Sequence, residues 1–123
     1  MAKTDKKDEI IALIPALLDV FRKDYAEWDN RAKERYPNSK PSRKRYGYEK
    51  GSTYIRLVTF DEAEKKGGPD TSRSVVGFVQ VKDGKFPAGT ILKAAGWKAP
   101  ATNFARGNIF DKSTWNYKWT GVS

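Results

Sequence analysis

The 123-residue chain contains no cysteine and no histidine. Without cysteine there is no disulfide framework, no thiolate nucleophile and no zinc–thiolate centre. Without histidine the Ser-His-Asp and Cys-His mechanisms, imidazole metal ligation and the usual general base near neutral pH are all excluded. No apolar run approaches the roughly 18 residues that a membrane-spanning helix needs. The polar start MAKTDKKDE lacks the apolar stretch of a signal peptide, which predicts a cytoplasmic protein without membrane contact. Acidic side chains are also scarce, 15 against 24 Lys and Arg, for a net charge of +9. Carboxylates, Lys, Tyr, Ser and Thr are what remains for chemistry. Their pattern predicts a non-enzyme with no cofactor and no metal.

What is present in quantity is aromatic: four Trp, six Tyr and six Phe, too many for a wholly disordered chain. The length suits one domain with one modest core, residues 1–123. The positive charge is segregated. Residues 1–36 are neutral overall, residues 37–50 carry +4, residues 51–72 carry −1 and residues 73–123 carry +6. A segregated positive field attracts phosphates, because each one neutralised releases counterions. Solubility alone accounts for a net charge of about 2–8 in a small domain. The excess is therefore a pointer to nucleic acid or another polyanion rather than a proof of it.

The periodicity predicts an α+β fold, an N-terminal helical segment packed on a small antiparallel sheet of three to four strands. Leu13, Ala16, Leu17, Val20, Phe21, Asp24 and Trp28 form a stripe at helical spacing within residues 5–36, capped by Thr4 or Asp5. Pro15 predicts either two helices or one kinked helix. Residues 37–50, with two prolines and a glycine, read as a basic loop. Residues 52–60 and 74–82 are rich in β-branched side chains and read as strands. Asp83-Gly84 marks a hairpin leading to a third strand at residues 90–93. Residues 97–110 read as an ordered loop, and the alternation of Trp115, Tyr117 and Trp119 offers a fourth strand within an antiparallel sheet over residues 52–119. Ile55, Leu57, Val75, Val79 and Leu92 are expected in the core with the Leu17, Val20 and Phe21 stripe.

Cations and aromatics interleave in several places. Proteins that bind single strands combine cations that follow the phosphates with aromatic rings on which bases stack, each stack worth roughly 1–3 kcal/mol. Arg43, Lys44 and Arg45 beside Tyr46 and Tyr48 fit that pattern, and no apolar periodicity there demands burial. Tyr54 and Arg56 share one face of a strand. Lys98 and Arg106 flank the loop after the third strand. There Trp97 is expected to be at least half buried, holding the loop to the sheet, and Arg106 to be exposed and open to an anion. Trp97 and Phe78 are better read as core, with snorkelling lysines around them, than as stacking rings.

Other patterns carry less. Gly77-Phe78-Val79-Gln80-Val81 matches the end of an RNP1 strand but ends in Val where an aromatic belongs. Pro69-Asp70 followed by Gln80-Val81-Lys82 has the outline of a PD-(D/E)xK nuclease site but lacks its second acid, which leaves Asp70 as a turn residue. Asp61, Glu62 and Glu64 beside two lysines read as a solvated loop tip rather than a cation site. Ala105-Arg106-Gly107-Asn108 is either a tight turn or a small anion cradle.

Arg73 to Phe110 resembles a group of small uncharacterised proteins of tailed bacteriophages. The likeness rests on Arg73-Ser74-Val75, Gly89-Thr90-Ile91-Leu92-Lys93-Ala94-Ala95, Trp97-Lys98-Ala99-Pro100-Ala101 and Ala105-Arg106-Gly107-Asn108-Ile109-Phe110. It covers about a third of the chain. The N-terminal helical region and the C-terminal STWNYKWTGVS depart from it. The resemblance implies a phage-infected bacterium as the setting and carries over no catalytic residue. The expectation is a non-catalytic, sequence-tolerant binder of nucleic acid, single-stranded by preference. The alternative is a phage inhibitor or host-takeover factor that binds an acidic host protein or sequesters a nucleotide signal.

Overall fold

A computed structural model describes residues 6–38, 44–63, 67–68, 71–118 and 121–122. Arg43, Glu64, Asp70, Trp119 and the capping pair Thr4 and Asp5 lie outside them. The fold is α+β, one long helix against an antiparallel sheet of five strands, one more than the upper expectation. The helix α1 spans Lys6–Arg35 without interruption, so Pro15 neither splits it nor sets a boundary. Pro15 is exposed, and its ring and missing N–H disturb no packing there. Ile14 and Leu17 beside it are buried and hold the chain on course. Asp8 and Glu9 in the first turn, and Lys33 and Arg35 in the last, suit the helix dipole.

The buried stripe of α1 is Ile10, Ile14, Leu17, Leu18 and Phe21, at steps of three and four. It is rotated from the expected one. Val20 is only partly buried, and Trp28 stays 42% exposed, stacked on Tyr25 at 5.8 Å.

The strands are β1 (Lys44–Glu49), β2 (Tyr54–Asp61), β3 (Thr71–Gln80), β4 (Thr90–Leu92) and β5 (Gly107–Asn108). They pair in chain order, every neighbour antiparallel. Two segments expected as loop are therefore strand. β1 lies in the supposed basic loop, where Tyr46 and Tyr48 alternate with Arg45, Gly47 and Glu49 and send their rings to the core. β5 is two residues long, too short to show any periodicity, and pairs with Thr90 and Ile91.

A bulge interrupts β3. Leu57 pairs with Gly77 and Val58 with Val75, leaving Val76 as the extra residue. The alternation consequently slips, so that Val76 is buried in the core and Val75, expected there, is only half-buried. Ile55, Leu57, Val79 and Ile91 complete the sheet's contribution to the face that meets α1. Leu92 and Phe78 are also buried but lie outside that cluster. Between β3 and β4, the buried amide of Gln80 donates to the carbonyls of Lys82 (2.7 Å) and Phe86 (2.6 Å). Asp83 accepts from the Ala88 N–H at 2.9 Å.

The C-terminal segment is not a named strand. A 3₁₀ turn at Lys112–Thr114, capped by Asp111, leads into chain that folds back over β3. The Val122 N–H donates to the Val76 carbonyl at 2.8 Å. Two glycines permit this crossing. A Cβ on Gly77 would meet Val122 Cγ2 at 2.7 Å, and one on Gly121 (φ +123°) would meet the Val76 carbonyl oxygen at 2.7 Å. Tyr117 is buried by the same segment. Its hydroxyl donates to the Arg106 carbonyl at 2.9 Å, and burial pushes its pKa up to about 12.

Candidate nucleic-acid interface

Helix α1 covers one face of the sheet. The opposite face carries the residues whose side chains alternate with the core positions: Glu49 on β1, Tyr54 and Arg56 on β2, and Arg73 on β3. Glu49 and Arg56 are direct cross-strand partners. Arg56 Nη1 donates to Glu49 Oε1 at 3.1 Å, and Arg73 Nη2 donates to Glu49 Oε2. One carboxylate thus bridges two guanidinium groups, one oxygen to each.

Trp97 caps the pair from the loop after β4. That loop closes through the Ala94–Pro100 bridge and the bond from the Ala101 N–H to the Lys93 carbonyl (2.7 Å). Arg56 Nε donates to the Trp97 carbonyl at 2.8 Å. The indole ring receives Arg56 at 4.6 Å and Arg73 at 5.4 Å. Trp97 keeps 38% of its exposure, so it is more than half covered as expected. Two cations contribute to that cover, where the sequence suggested sheet core.

Two cavities flank the bridge. One, of about 340 Å³, is lined by Glu49, Tyr54, Arg56, Phe78, Lys98 and the turn at residues 50–53. Tyr54 meets Phe78 edge-on at 6.1 Å and so presents its own ring to this cavity wall. The other, of about 410 Å³, is lined by Gly47, Tyr48, Glu49, Val58, Phe60 and Arg73. Glu49 lines both. Around them Arg56, Arg73, Lys50 and Lys98 stand against one carboxylate, leaving the face positive.

Burial alone would raise the Glu49 pKa, but the hydrogen bonds and charges of Arg56 and Arg73 outweigh it and hold the carboxyl below its usual value of 4.5. A depressed carboxylate stabilises the fold above its unfolded-state pKa and loses that contribution as pH falls through the folded-state value. The stability advantage of the native protein over Glu49→Gln should therefore be complete at pH 7 and shrink steadily below about 4.5. Urea midpoints across an acid pH series check this; an advantage unchanged by acid would contradict it.

The structure brings together only some of the residues singled out in the sequence. Tyr54, Arg56 and Lys98 meet at one cavity. Tyr46 does not belong with them. It is 6% exposed, stacked on Phe21 at 5.9 Å, and its hydroxyl pKa is raised first by burial and then by the nearby Tyr25 and Asp24, against the Thr59 hydrogen bond. Tyr48 packs against the same core, partly buried. The Tyr46 ring is not available for stacking as expected, because β1 turns it inward; Tyr48, only partly buried, still lines the second cavity beside Glu49. Lys44 lies over the Tyr25 ring at 5.8 Å, and Arg45 pairs with Glu62 at 2.9 Å. Both line a separate cavity at the seam with α1, beside Arg22 and Asp29. Arg106 is not the exposed cation expected of it. It is half-buried, its guanidinium lies 3.7 Å over the Phe104 ring, and its Nε is buried without a hydrogen-bond partner among the described residues. Gly107 and Asn108, read as part of either a tight turn or a small anion cradle, are β5 itself.

Sequence inspection missed Glu49, Arg73 and Phe60. The available signal was period-2 spacing, which places Arg56 with Tyr54 and Glu49 with Gly47. The pairing of Glu49 with Arg73, 24 residues apart, has no local trace. No group of three or more Asp and Glu among the described residues is placed to hold a metal ion. No helix among them is long and apolar enough to cross a membrane.

Together these features define an α+β protein with one sheet face covered by the helix and an opposite face that carries cations and aromatic rings, part of it covered by the loop after β4. A family model described as a family of unknown function (DUF7717) matches residues 1–122, and the chain belongs to that family. No curated protein and no solved structure matches it.

Proposed function

We propose that the protein is a non-catalytic, sequence-tolerant binder of single-stranded nucleic acid, and that the strand lies across the sheet face opposite α1. The observation that carries this is the juxtaposition of Arg56, Arg73, Lys98, Tyr54 and the Trp97 cap around two cavities. Fixed guanidinium groups suit phosphates, which they grip as planar forks, and ring faces suit bases of any identity. The helix supports the sheet from behind, on the side away from these cavities. The phage setting belongs to the same proposal and rests on the resemblance of residues 73–110. The binding part of the proposal rests on the chemistry of the site and not on the fold.

The test is a titration of a labelled oligothymidylate followed by anisotropy. Three to four phosphate contacts on a single strand give a log–log salt slope of about −2 to −3, so affinity should fall about 20- to 50-fold between roughly 50 and 200 mM salt. Absence of binding at the lower salt, or binding that ignores salt, rejects the proposal. A host protein that stays bound after nuclease treatment of a lysate would favour the acidic-partner alternative instead.

A further inference from the structure

We propose that Glu49 occupies, in the free protein, the seat of one phosphate of the bound strand, and that the two cavities beside it take the nucleotides on either side of that phosphate. This rests on the binding of single strands proposed above and specifies how the face does it.

Three observations converge on Glu49. It gives one carboxylate oxygen to Arg56 and the other to Arg73, the arrangement in which two non-bridging phosphate oxygens would meet the same pair. It is shared by the walls of both cavities, so whatever replaces it sits between them. The pair of arginines is also held independently of it. Arg56 is anchored on the Trp97 carbonyl, and both guanidinium groups rest against the Trp97 ring. The seat therefore keeps its shape when the carboxylate swings away. Each cavity lies at the small end of the range for ligand clefts, about 300–1,000 Å³, which suits one base with its sugar rather than a folded element.

The exchange is nearly balanced in charge. A phosphodiester brings one negative charge and Glu49 takes one away, so the arginines are paired before and after. The carboxylate is then a resident competitor, which weakens binding and disfavours polyanions that offer no bases to the flanking cavities. The charged groups facing Glu49 are Arg56 from β2 and Arg73 from β3, with Lys50 at the end of its own strand and Lys98 from the loop after β4. Arginine and lysine side chains are ordinarily charged and thymine neutral throughout the acid range, so acid acts here through the carboxyl.

The experiment compares the native protein with Glu49→Gln, using a rhodamine-labelled oligothymidylate whose dye does not titrate in this range. Glu49→Gln keeps the side chain's shape and removes its charge. It should bind about tenfold tighter at pH 7, where the carboxylate is ionised. The native protein should tighten towards the variant as pH falls below about 4.5, where the carboxyl held down by the two arginines begins to take up its proton, with the variant's affinity flat. Circular dichroism at each pH shows that both remain folded. An affinity in Glu49→Gln equal to or weaker than the native protein's, with the native protein binding normally, overturns this inference and leaves the general binding proposal standing. If the variant does not fold, the native protein's pH profile decides: an affinity that does not rise on acidification overturns it equally. Binding by the variant alone, with a silent native protein, supports it. Failure of both proteins to bind at any pH rejects the binding proposal and this inference with it.

Discussion

Replacing Phe21 by alanine is expected to lower stability by about 3–5 kcal/mol, the usual cost of emptying a buried aromatic site. Phe21 has no exposed surface and sits at the junction of three parts of the chain. It belongs to α1, stacks on Tyr46 of β1 at 5.9 Å with planes 12° apart, and stacks on Tyr117 of the C-terminal segment at 5.9 Å with planes 16° apart. Truncation removes both ring contacts and leaves a void between two aromatic walls that cannot close, because each is tethered. Arg22 Nη2 donates to the Tyr46 carbonyl at 3.1 Å, and the Tyr117 hydroxyl is bound to the Arg106 carbonyl. Total stability for such a domain is on the order of 5–15 kcal/mol, so a large share is at stake. The melting temperature should fall by roughly 12–20 °C. Glu27→Ala, on the exposed side of the same helix, should stay within about 0.5 kcal/mol of the native protein. A Phe21→Ala protein that melts within about 3 °C of the native one would mean that α1 is not fastened to the sheet through this stack.

The strands that could be seen in the sequence are those whose local chemistry and tertiary role agree. Ile55, Leu57 and Thr59 alternate against Tyr54 and Arg56, and β2 follows. Asp83-Gly84 announces the turn between β3 and β4 because a turn's backbone demands are local. β1 was hidden because Lys44, Arg45, Gly47 and Glu49 look like loop chemistry, and only the two tyrosines between them alternate inward. Tyr46 is buried against Phe21, more than twenty residues away in the chain. The bulge at Val76 left no mark, since Val75 and Val76 are equally good strand formers and only pairing with β2 chooses which faces the core. The stripe on α1 was legible in kind but rotated in detail. Ile10 and Ile14 precede the proline that made that region look broken.

The candidate site divides along the same line. Tyr54 and Arg56 are two residues apart on one strand, and their common face could be read directly. Glu49, Arg73 and Trp97 come from three other segments and meet Arg56 only when β1, β2, β3 and the loop after β4 are assembled. The basic run at residues 43–45 drew attention because its charges are adjacent in sequence. The cations gathered at the face opposite α1 are dispersed along the chain, and adjacency in sequence is a poor guide to adjacency on a sheet.

The double substitution Arg56→Ala with Arg73→Ala should have the largest effect on binding. Each guanidinium that meets a phosphate oxygen is worth on the order of 1.4 kcal/mol, a factor of ten, so losing both should weaken a single strand by about 100-fold at low salt. The salt slope should also become shallower by about 0.7, since the one phosphate that the two arginines share is no longer neutralised. Removal of both arginines leaves the Glu49 carboxylate uncompensated on the face that the strand approaches, and this repulsion adds to the loss. Stability should fall as well, so circular dichroism at the assay temperature first establishes that the double variant is folded. Arg73 and Glu49 remain substantially exposed, and pairs of that kind contribute up to about 1 kcal/mol. Trp97 loses both cations that cover its ring, at about 0.5–1 kcal/mol each. Lys33→Ala supplies the control, because Lys33 lies near the end of α1, paired with Asp29 and away from the face opposite the helix. It removes a unit of charge yet should leave the salt slope unchanged, since overall attraction is not what the slope counts. If the double variant binds as the native protein does, with the same salt slope, the strand does not cross β2 and β3 at Glu49. The seam cavity at Lys44 and Arg45 would then be the place to look for it.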